Sequence, residues 1–263
     1  MSGAGTPTVP LLEARRVVKD YPSVKVLKDV DLSAAEGDTL AVIGPNGAGK
    51  TTLFKVLSGE VFADSGSVLF RGADVTRVPE WKRVRAGFGR SFQVARVFKD
   101  LTAAANVLVA VEAAFRNMPP GPRKLLACDP ARTALERVDE ALDEVGLSAR
   151  SGVEAKLLSH GDKKRLELAM SLVLRPTILL LDEPTAGMSP ADRKSSVDLI
   201  ASVKARHGMT VVLTEHDMGV VFDLASHVAV LHHGEMIATG SPAEVRENPL
   251  VRKIYLGSGA GHA

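Results

Sequence analysis

Residues 43–52, I-G-P-N-G-A-G-K-T-T, could hold a chain of phosphates. The spacing that starts at Gly44 is G-x-x-x-x-G-K-T, the P-loop pattern, whose glycines let backbone N–H groups turn inward around phosphate oxygens. Lys50 would bring a positive charge to the β and γ phosphates, and Thr51 would offer a hydroxyl to Mg²⁺. An apolar run predicts a buried strand before the loop, and the residues after it suit a helix whose N-terminus is partly positive. This context favours phosphate binding over an ordinary glycine-rich turn.

A second set of polar residues follows another apolar run. Asp182 and Glu183 come directly after the apolar residues 178–181. Since α/β sheets bind ligands at the carboxyl ends of their strands, Asp182 can hold Mg²⁺ opposite Thr51. Pro184 biases Glu183 away from helix, and a carboxylate beside the γ-phosphate can polarise an attacking water. The alternative, a solvated acidic pair at a helix start, is disfavoured by the apolar residues in front of it.

The elements that must position these residues follow from hydrophobic patterning. Rough alternation over residues 11–32 predicts short strands of a half-exposed antiparallel sheet. Apolar runs at 177–181, 209–214 and 227–231 predict strands, and they alternate with helices, which indicates a doubly wound α/β sheet. A turn is predicted at residues 64–67.

Residues 95–165 look like a helical insertion in this frame. Thr102 would cap a helix over 103–115, and the proline-rich residues 118–122 predict an exposed loop. Asp129 before Pro130 predicts the start of the next helix. Its predicted buried stripe consists of Leu135, Val138, Leu142 and Val145.

The composition of the 263 residues limits the classes of function. Hydrophobic residues make up 45%, which fits a globular protein with a sizeable core, and the net charge of +2 gives no argument for nucleic acid as a partner. The single cysteine excludes an internal disulfide and suggests a reducing compartment. Residues 1–10 lack the basic and apolar regions of a signal peptide. No apolar run approaches the ~18–20 residues that span a bilayer, so a membrane role would need another chain.

Residues 158–162 read L-S-H-G-D and precede a helix-compatible run. With the P-loop and the L-L-L-D-E-P run at 179–184, in this order, the chain resembles the ATP-binding subunits of ABC transporters over nearly its whole length. The resemblance implies an α/β fold of the P-loop NTPase class, with a RecA-like core sheet, an antiparallel β subdomain and a helical subdomain. It implies one domain over 1–263, with a catalytic core at 1–94 and 166–263 and the helical subdomain, carrying the signature, at 95–165.

The resemblance also assigns roles to individual residues. Glu183, His216 and Lys50 would be catalytic, with His216 as the switch histidine that follows a core strand. Gln93 resembles the family's Q-loop glutamine, which can reach Mg²⁺ or the lytic water, so Mg²⁺ would be held by Thr51, Gln93 and Asp182. Tyr21 resembles the aromatic that stacks on adenine. The predicted ATP-binding residues are Tyr21, Gly44, Pro45, Asn46, Gly47, Ala48, Gly49, Lys50, Thr51, Thr52 and Gln93. The predicted signature residues, which would contact the ATP of a second subunit, are Ser159, His160, Gly161 and Asp162.

Three positions depart from the common family pattern. His160 replaces a glycine, Asp162 replaces the usual glutamine, and Ser189 stands where many members carry aspartate. Ser189 before Pro190 is predicted to be a helix cap. These departures, with residues 92–98 and the ending at 254–257, resemble the importers of branched-chain amino acids and their amide and urea relatives. A lipopolysaccharide-export ATPase is the alternative within the class.

The importer interpretation predicts several partners. It implies a head-to-tail dimer with an identical or related ATPase, membrane-embedded permease subunits, and an indirect link to a periplasmic binding protein. It places the protein at the cytoplasmic face of the inner membrane. The alternatives from other classes are a soluble ABC-type ATPase that acts on DNA or ribosomes and a regulatory module that does not hydrolyse ATP. The short insertion and near-neutral charge argue against the first, and Glu183 with His216 argues against the second.

Overall fold

The computed structural model describes residues 9–117 and 130–257. Two sheets form within them, and the smaller is antiparallel, as predicted for the N-terminal part of the chain. Its strand order is β2-β1-β4-β5. The strands are β1 (Leu12–Tyr21), β2 (Val24–Ala34), β4 (Ser65–Phe70) and β5 (Ala73–Asp74). The turn predicted at residues 64–67 is wrong in its extent, because β4 already begins at Ser65.

The larger sheet has six strands in the order β10-β9-β3-β8-β7-β6. These strands are β3 (Thr39–Ile43), β6 (Phe88–Ser91), β7 (Ile178–Asp182), β8 (Thr210–Thr214), β9 (His227–His232) and β10 (Glu235–Gly240). All neighbours pair in parallel except β9 with β10. Every residue of β3, β7 and β8 is buried, as expected for central strands covered on both faces. The predicted α/β class is therefore confirmed.

Helices cover both faces of the larger sheet. They are α1 (Lys50–Ser58), α2 (Glu80–Ala86), α3 (Ala103–Asn117), α4 (Pro130–Glu144), α5 (His160–Leu172), α6 (Pro190–His207), α7 (Met218–Leu224), α8 (Pro242–Glu247) and α9 (Pro249–Gly257). Alternate residues of a strand face opposite sides, so β7 contributes Leu179 and Leu181 to one core and Ile178 and Leu180 to the other. The first core is shared with α3, α4 and α5, and the second with α1 and the antiparallel sheet.

The helical part of the chain confirms most of the predicted pattern. Thr102 Oγ1 accepts the Ala105 N–H at 3.1 Å, which caps α3 as predicted. The predicted stripe on α4 is wrong at Leu135, which is 56% exposed, because the buried face runs through Ala134 and Ala141 instead. The predicted loop 118–122 and the predicted cap Asp129 lie outside the described residues. The boundary predicted between residues 165 and 166 falls inside α5, and the division into subdomains stays a prediction.

A buried arginine ties α1 to the segment that leads into α2. Arg83 is fully buried, and its guanidinium donates to the carbonyls of five residues. These are Val56, Leu57, Val75, Thr76 and Val78. Burial lowers the pKa of Arg83 to about 10, so the side chain stays charged at neutral pH. Since the last carbonyls of a helix have no partner within it, Arg83 satisfies the C-terminal end of α1 and fixes that helix in place.

Among the described residues, none of the helices has the length and apolar character needed to cross a bilayer.

Candidate functional site

The P-loop connects β3 to the first turn of α1. Gly44 packs so closely on β9 that a Cβ there would overlap the backbone of Leu231. Gly49 is the residue before α1 and has a φ of 109°, in the left-handed region that favours glycine. The loop therefore depends on glycine both for its contact with the sheet and for its entry into the helix. Asn46 and Gly47 are exposed at its tip, while Ala48 is buried.

Lys50 is buried beneath this loop. Its Nζ donates to the carbonyl oxygens of Gly44 at 2.6 Å and Pro45 at 3.1 Å. Burial lowers the pKa of Lys50, and the nearby carboxylates of Glu183 and Asp182 partly oppose that shift. A desolvated cation held by carbonyl groups suits an anionic ligand, because a phosphate would compensate its charge. Thr51 and Thr52 follow in the first turn of α1, where Thr51 is exposed.

Asp182 ends β7, as the sequence predicts, and is buried. Its Oδ1 accepts a hydrogen bond of 2.7 Å from the hydroxyl of Thr214, the last residue of the neighbouring strand β8. Sequence reasoning missed Thr214 as a partner of Asp182, although a threonine that ends an apolar strand beside another such strand is a usable signal. One carboxylate oxygen of Asp182 is thus oriented by the sheet.

Glu183 lies between two polar side chains from other elements. Gln93 Nε2 donates to its Oε2 at 2.9 Å, and His216 Nε2 lies 2.6 Å from its Oε1. Because a carboxylate only accepts, the His216 contact requires a proton on Nε2. The backbone N–H of Glu183 is held by the Thr214 hydroxyl at 3.0 Å. The structure therefore brings Gln93, Glu183 and His216 together from the loop after β6 and from the ends of β7 and β8.

The backbone of Glu183 adopts a strained conformation. Its φ is 48°, in the left-handed region that costs a non-glycine residue about 1–2 kcal/mol. Such strain persists where the surroundings over-determine it and concentrates at functional sites. Here the hydrogen bonds to Thr214, Gln93 and His216 hold the residue in place.

The predicted signature begins α5. Ser159 caps the helix by accepting the Asp162 N–H at 3.1 Å, and Asp162 also forms an ion pair with Arg150. His160 Nε2 lies 3.1 Å from the Ala186 carbonyl of the same chain. Apart from its chain neighbours and the backbone of its own helix, no described atom lies within 4 Å of the position that a Cβ on Gly161 would take. The turn therefore presents open space beside the helix N-terminus, and packing within the described part of the chain does not require glycine at Gly161.

Tyr21 lies at the end of β1, on the antiparallel sheet. The residue is 40% exposed, and the Lys19 ammonium lies 5.6 Å from the centroid of its ring. The ring is thus available to a flat partner. The residue predicted to cap α6, Ser189, accepts the Asp192 N–H at 3.2 Å, which confirms that helix start.

The donor set fits a divalent cation that also binds phosphate. Among the described residues, no three His, Cys, Asp or Glu side chains form a metal-binding cluster. Mg²⁺ keeps several waters and needs only one or two protein ligands when phosphates supply the others, which a Thr51 hydroxyl and the Asp182 carboxylate would provide. A P-loop after β3, an Asp at the end of β7 two strands away, and a Glu held by hydrogen bonds together define a nucleoside triphosphatase of the P-loop class.

Comparisons with known proteins identify the family. Residues 27–186 match the ABC transporter family, and residues 235–261 match the branched-chain amino acid ATP-binding cassette transporter family. The chain is 37% identical to the high-affinity branched-chain amino acid transport ATP-binding protein BraF of Pseudomonas aeruginosa, over 94% of this chain and 98% of BraF. It is 34% identical to the lipopolysaccharide export system ATP-binding protein LptB of Acidithiobacillus ferridurans, over 94% of this chain and 97% of LptB.

Solved structures agree with this assignment. The ADP conformation of MJ1267, an ATP-binding cassette of an ABC transporter, superimposes with a TM-score of 0.82 at 28% identity, covering 95% of this chain and 100% of that chain. The chain belongs to the ABC transporter family and is an ATP-binding, ATP-hydrolysing subunit of such a transporter.

Proposed function

We propose that this ATPase powers an importer of branched-chain amino acids or related small polar molecules. The match of residues 235–261 and the names of relatives such as BraF support this substrate class. The observation that carries the proposed chemistry is Glu183, held between Gln93 and His216 beside the buried Lys50. LptB is also a relative, so lipopolysaccharide export is the second candidate.

In the proposed mechanism, the P-loop amides and Lys50 bind the phosphates of ATP, and Tyr21 stacks on the adenine. Glu183 polarises a water for attack on the γ-phosphate, while His216 holds the carboxylate in the required orientation. Lys50 offsets the charge that develops on the phosphate oxygens. Thr51, Asp182 and Gln93 would hold Mg²⁺, which supplies further charge neutralisation when bound. Gln93 would face the metal or the water with its amide oxygen, since its Nε2 is the donor that bonds Glu183.

The second half of the site comes from another ATPase subunit in this proposal. The N-terminus of α5, with Ser159 and the open space at Gly161, suits the γ-phosphate bound by a partner. Two copies, or one copy and a related subunit, would enclose two ATP molecules head to tail. Residues 95–165 would carry the resulting movement to the permease, at the cytoplasmic face of the inner membrane. A periplasmic binding protein would deliver substrate from the other side.

Uptake of labelled leucine tests the substrate class. In a bacterium that lacks this gene, the wild-type protein should restore uptake and Lys50→Ala should not. Lys55→Ala is the matched control, since Lys55 lies on the same helix but pairs with Glu60 at 3.7 Å, and it should restore uptake. Normal leucine uptake in the deleted strain, together with failure of lipopolysaccharide assembly, would refute the importer and favour the exporter.

A further inference from the structure

Helix α5 carries a buried polar face that the proposed mechanism does not use. Lys164, Glu167 and Ser171 are all buried, and their spacing of three and four residues places them on one side of the helix. Buried charges are costly unless they are paired or hydrogen-bonded, so this face requires specific partners. Those partners are main-chain groups of residues 90–96.

The two charged side chains bind the backbone on both sides of Gln93. Glu167 Oε2 accepts the Phe92 N–H at 3.3 Å, and Glu167 Oε1 accepts the Arg96 N–H at 2.8 Å. Lys164 Nζ donates to the Phe92 carbonyl oxygen. Residues 92–96, named here the Gln93 loop, are therefore fixed at both ends by two residues of α5, named here the anchor pair.

Within the Gln93 loop, side chains are largely exposed. Val94 is 77% exposed, and Gln93 itself is exposed and bonds to Glu183. Phe92 is half-buried and its ring lies against the guanidinium groups of Arg90 and Arg96, but Gln93 and Val94 themselves have no such packing among the residues that the structure describes. The backbone contacts with the anchor pair are therefore expected to decide where Gln93 lies. Burial raises the pKa of Glu167 and lowers the pKa of Lys164, and the charge of each opposes the shift of the other. The pair is therefore costly to bury.

We propose that Lys164 and Glu167 are positioning residues for ATP hydrolysis, which hold the Gln93 loop so that Gln93 meets Glu183. This inference rests on the role of Gln93 and Glu183 given under the proposed function. Because both side chains belong to α5, the helix that Ser159 caps, a displacement of this signature helix would also displace Gln93.

A double-mutant cycle tests the proposal. Glu167→Gln offers one acceptor where two N–H groups need one each, and Lys164→Met removes the donor at similar length. Each variant should lower kcat for ATP by roughly 10- to 100-fold, the loss expected from misplacing a reacting group by about 1 Å. KM for ATP should change less than about threefold, because the P-loop is untouched. In a Gln93→Ala background, neither change should lower kcat further.

The matched control is Lys163→Met, the same substitution one residue earlier on α5. Lys163 donates to the Lys156 carbonyl and not to the Gln93 loop, so its kcat should stay near that of the wild type. Equal losses in Lys163→Met and Lys164→Met, additive losses in the cycle, or no loss in either anchor variant would overturn the proposal. A normal kcat in Gln93→Ala alone would instead refute the role of Gln93 in the proposed function.

Two further measurements guard against misfolding. Thermal unfolding shows whether each single variant is folded. If one is not, the double variant Lys164→Met/Glu167→Gln, which removes both charges together, replaces that single variant in the cycle. Hydrogen exchange of the wild-type protein needs no variant. The Phe92 and Arg96 amides should exchange more slowly than unprotected amides, and exchange at the unprotected rate would contradict the anchor.

Discussion

Replacing Glu183 with glutamine removes a charge from the site and keeps the shape of the side chain. The glutamine offers one oxygen and one NH₂ group where the carboxylate accepts from Gln93 and His216. It cannot take up a proton from water at neutral pH. Glutamate and glutamine carry the same cost at a φ of 48°, so the substitution adds no backbone strain.

The size of the effect follows from the role of the base. A positioned general base contributes about 10²- to 10⁴-fold, so turnover should fall by that factor, or about 2.7–5.5 kcal/mol in the activation free energy. Lys50 and the P-loop keep their contacts, so nucleotide affinity should not weaken. Loss of a negative charge near the γ-phosphate should tighten ATP binding, because like unit charges 4 Å apart repel by about 1 kcal/mol even in water, which corresponds to about fivefold in affinity.

Phosphate release at saturating Mg-ATP measures the turnover, and size-exclusion chromatography in ATP measures the dimer that should accumulate. Glu144→Gln is the control, since Glu144 pairs with Arg206 and His207 on the protein surface and should leave turnover unchanged. Turnover of Glu183→Gln within about threefold of wild type would refute the assignment of Glu183 as the base.

Two other predictions concern buried charges. Arg83→Met leaves the buried Leu57 carbonyl and the partly buried Thr76 carbonyl without this donor, and unsatisfied acceptors cost about 1–3 kcal/mol each, so urea unfolding should show a loss of roughly 2–6 kcal/mol. The control Lys82→Met, at an exposed position on the same helix, should change the free energy of unfolding by less than about 0.5 kcal/mol. Equal losses in Arg83→Met and Lys82→Met would contradict the role given to Arg83. Burial raises the pKa of Glu167 above the ordinary value of 4.5, so between 4.5 and the raised pKa the folded state binds more protons than the unfolded state. The contribution of Glu167 to the free energy of unfolding therefore falls as the pH rises from 4.5 through the raised pKa. Glu167→Gln should lack this fall, and parallel stability–pH curves for the two proteins would refute it.

The sequence predicts the central strands well because their burial on both faces leaves an unbroken apolar run. This holds for β3, β7 and β8. It also predicts helix starts where the cap is local, as at Thr102 and Ser189. The prediction is wrong at Leu135 because it assigned only large apolar side chains to the buried face of α4. The small residues Ala134 and Ala141 allow α4 to approach its neighbours closely, and they define the buried face instead.

Contacts between distant residues could not be predicted from patterning. Thr214 meets Asp182 across 32 positions, and Glu167 meets Phe92 across 75. Both contacts depend on which strand or helix becomes the neighbour. Arg83 would be assigned to the surface by its type, since arginine is rarely buried without a partner. Its partners are backbone carbonyls, which carry no residue-specific signal in a sequence.

The left-handed backbone at Glu183 has a consequence for protein engineering. Asparagine tolerates that conformation more readily than glutamate, so Glu183→Asn should relieve part of the strain while it removes the proposed base. A screen that selects variants by heat resistance alone would therefore favour inactive proteins at this position. Any thermostabilised version of this ATPase should be sorted by turnover first, with residue 183 held fixed.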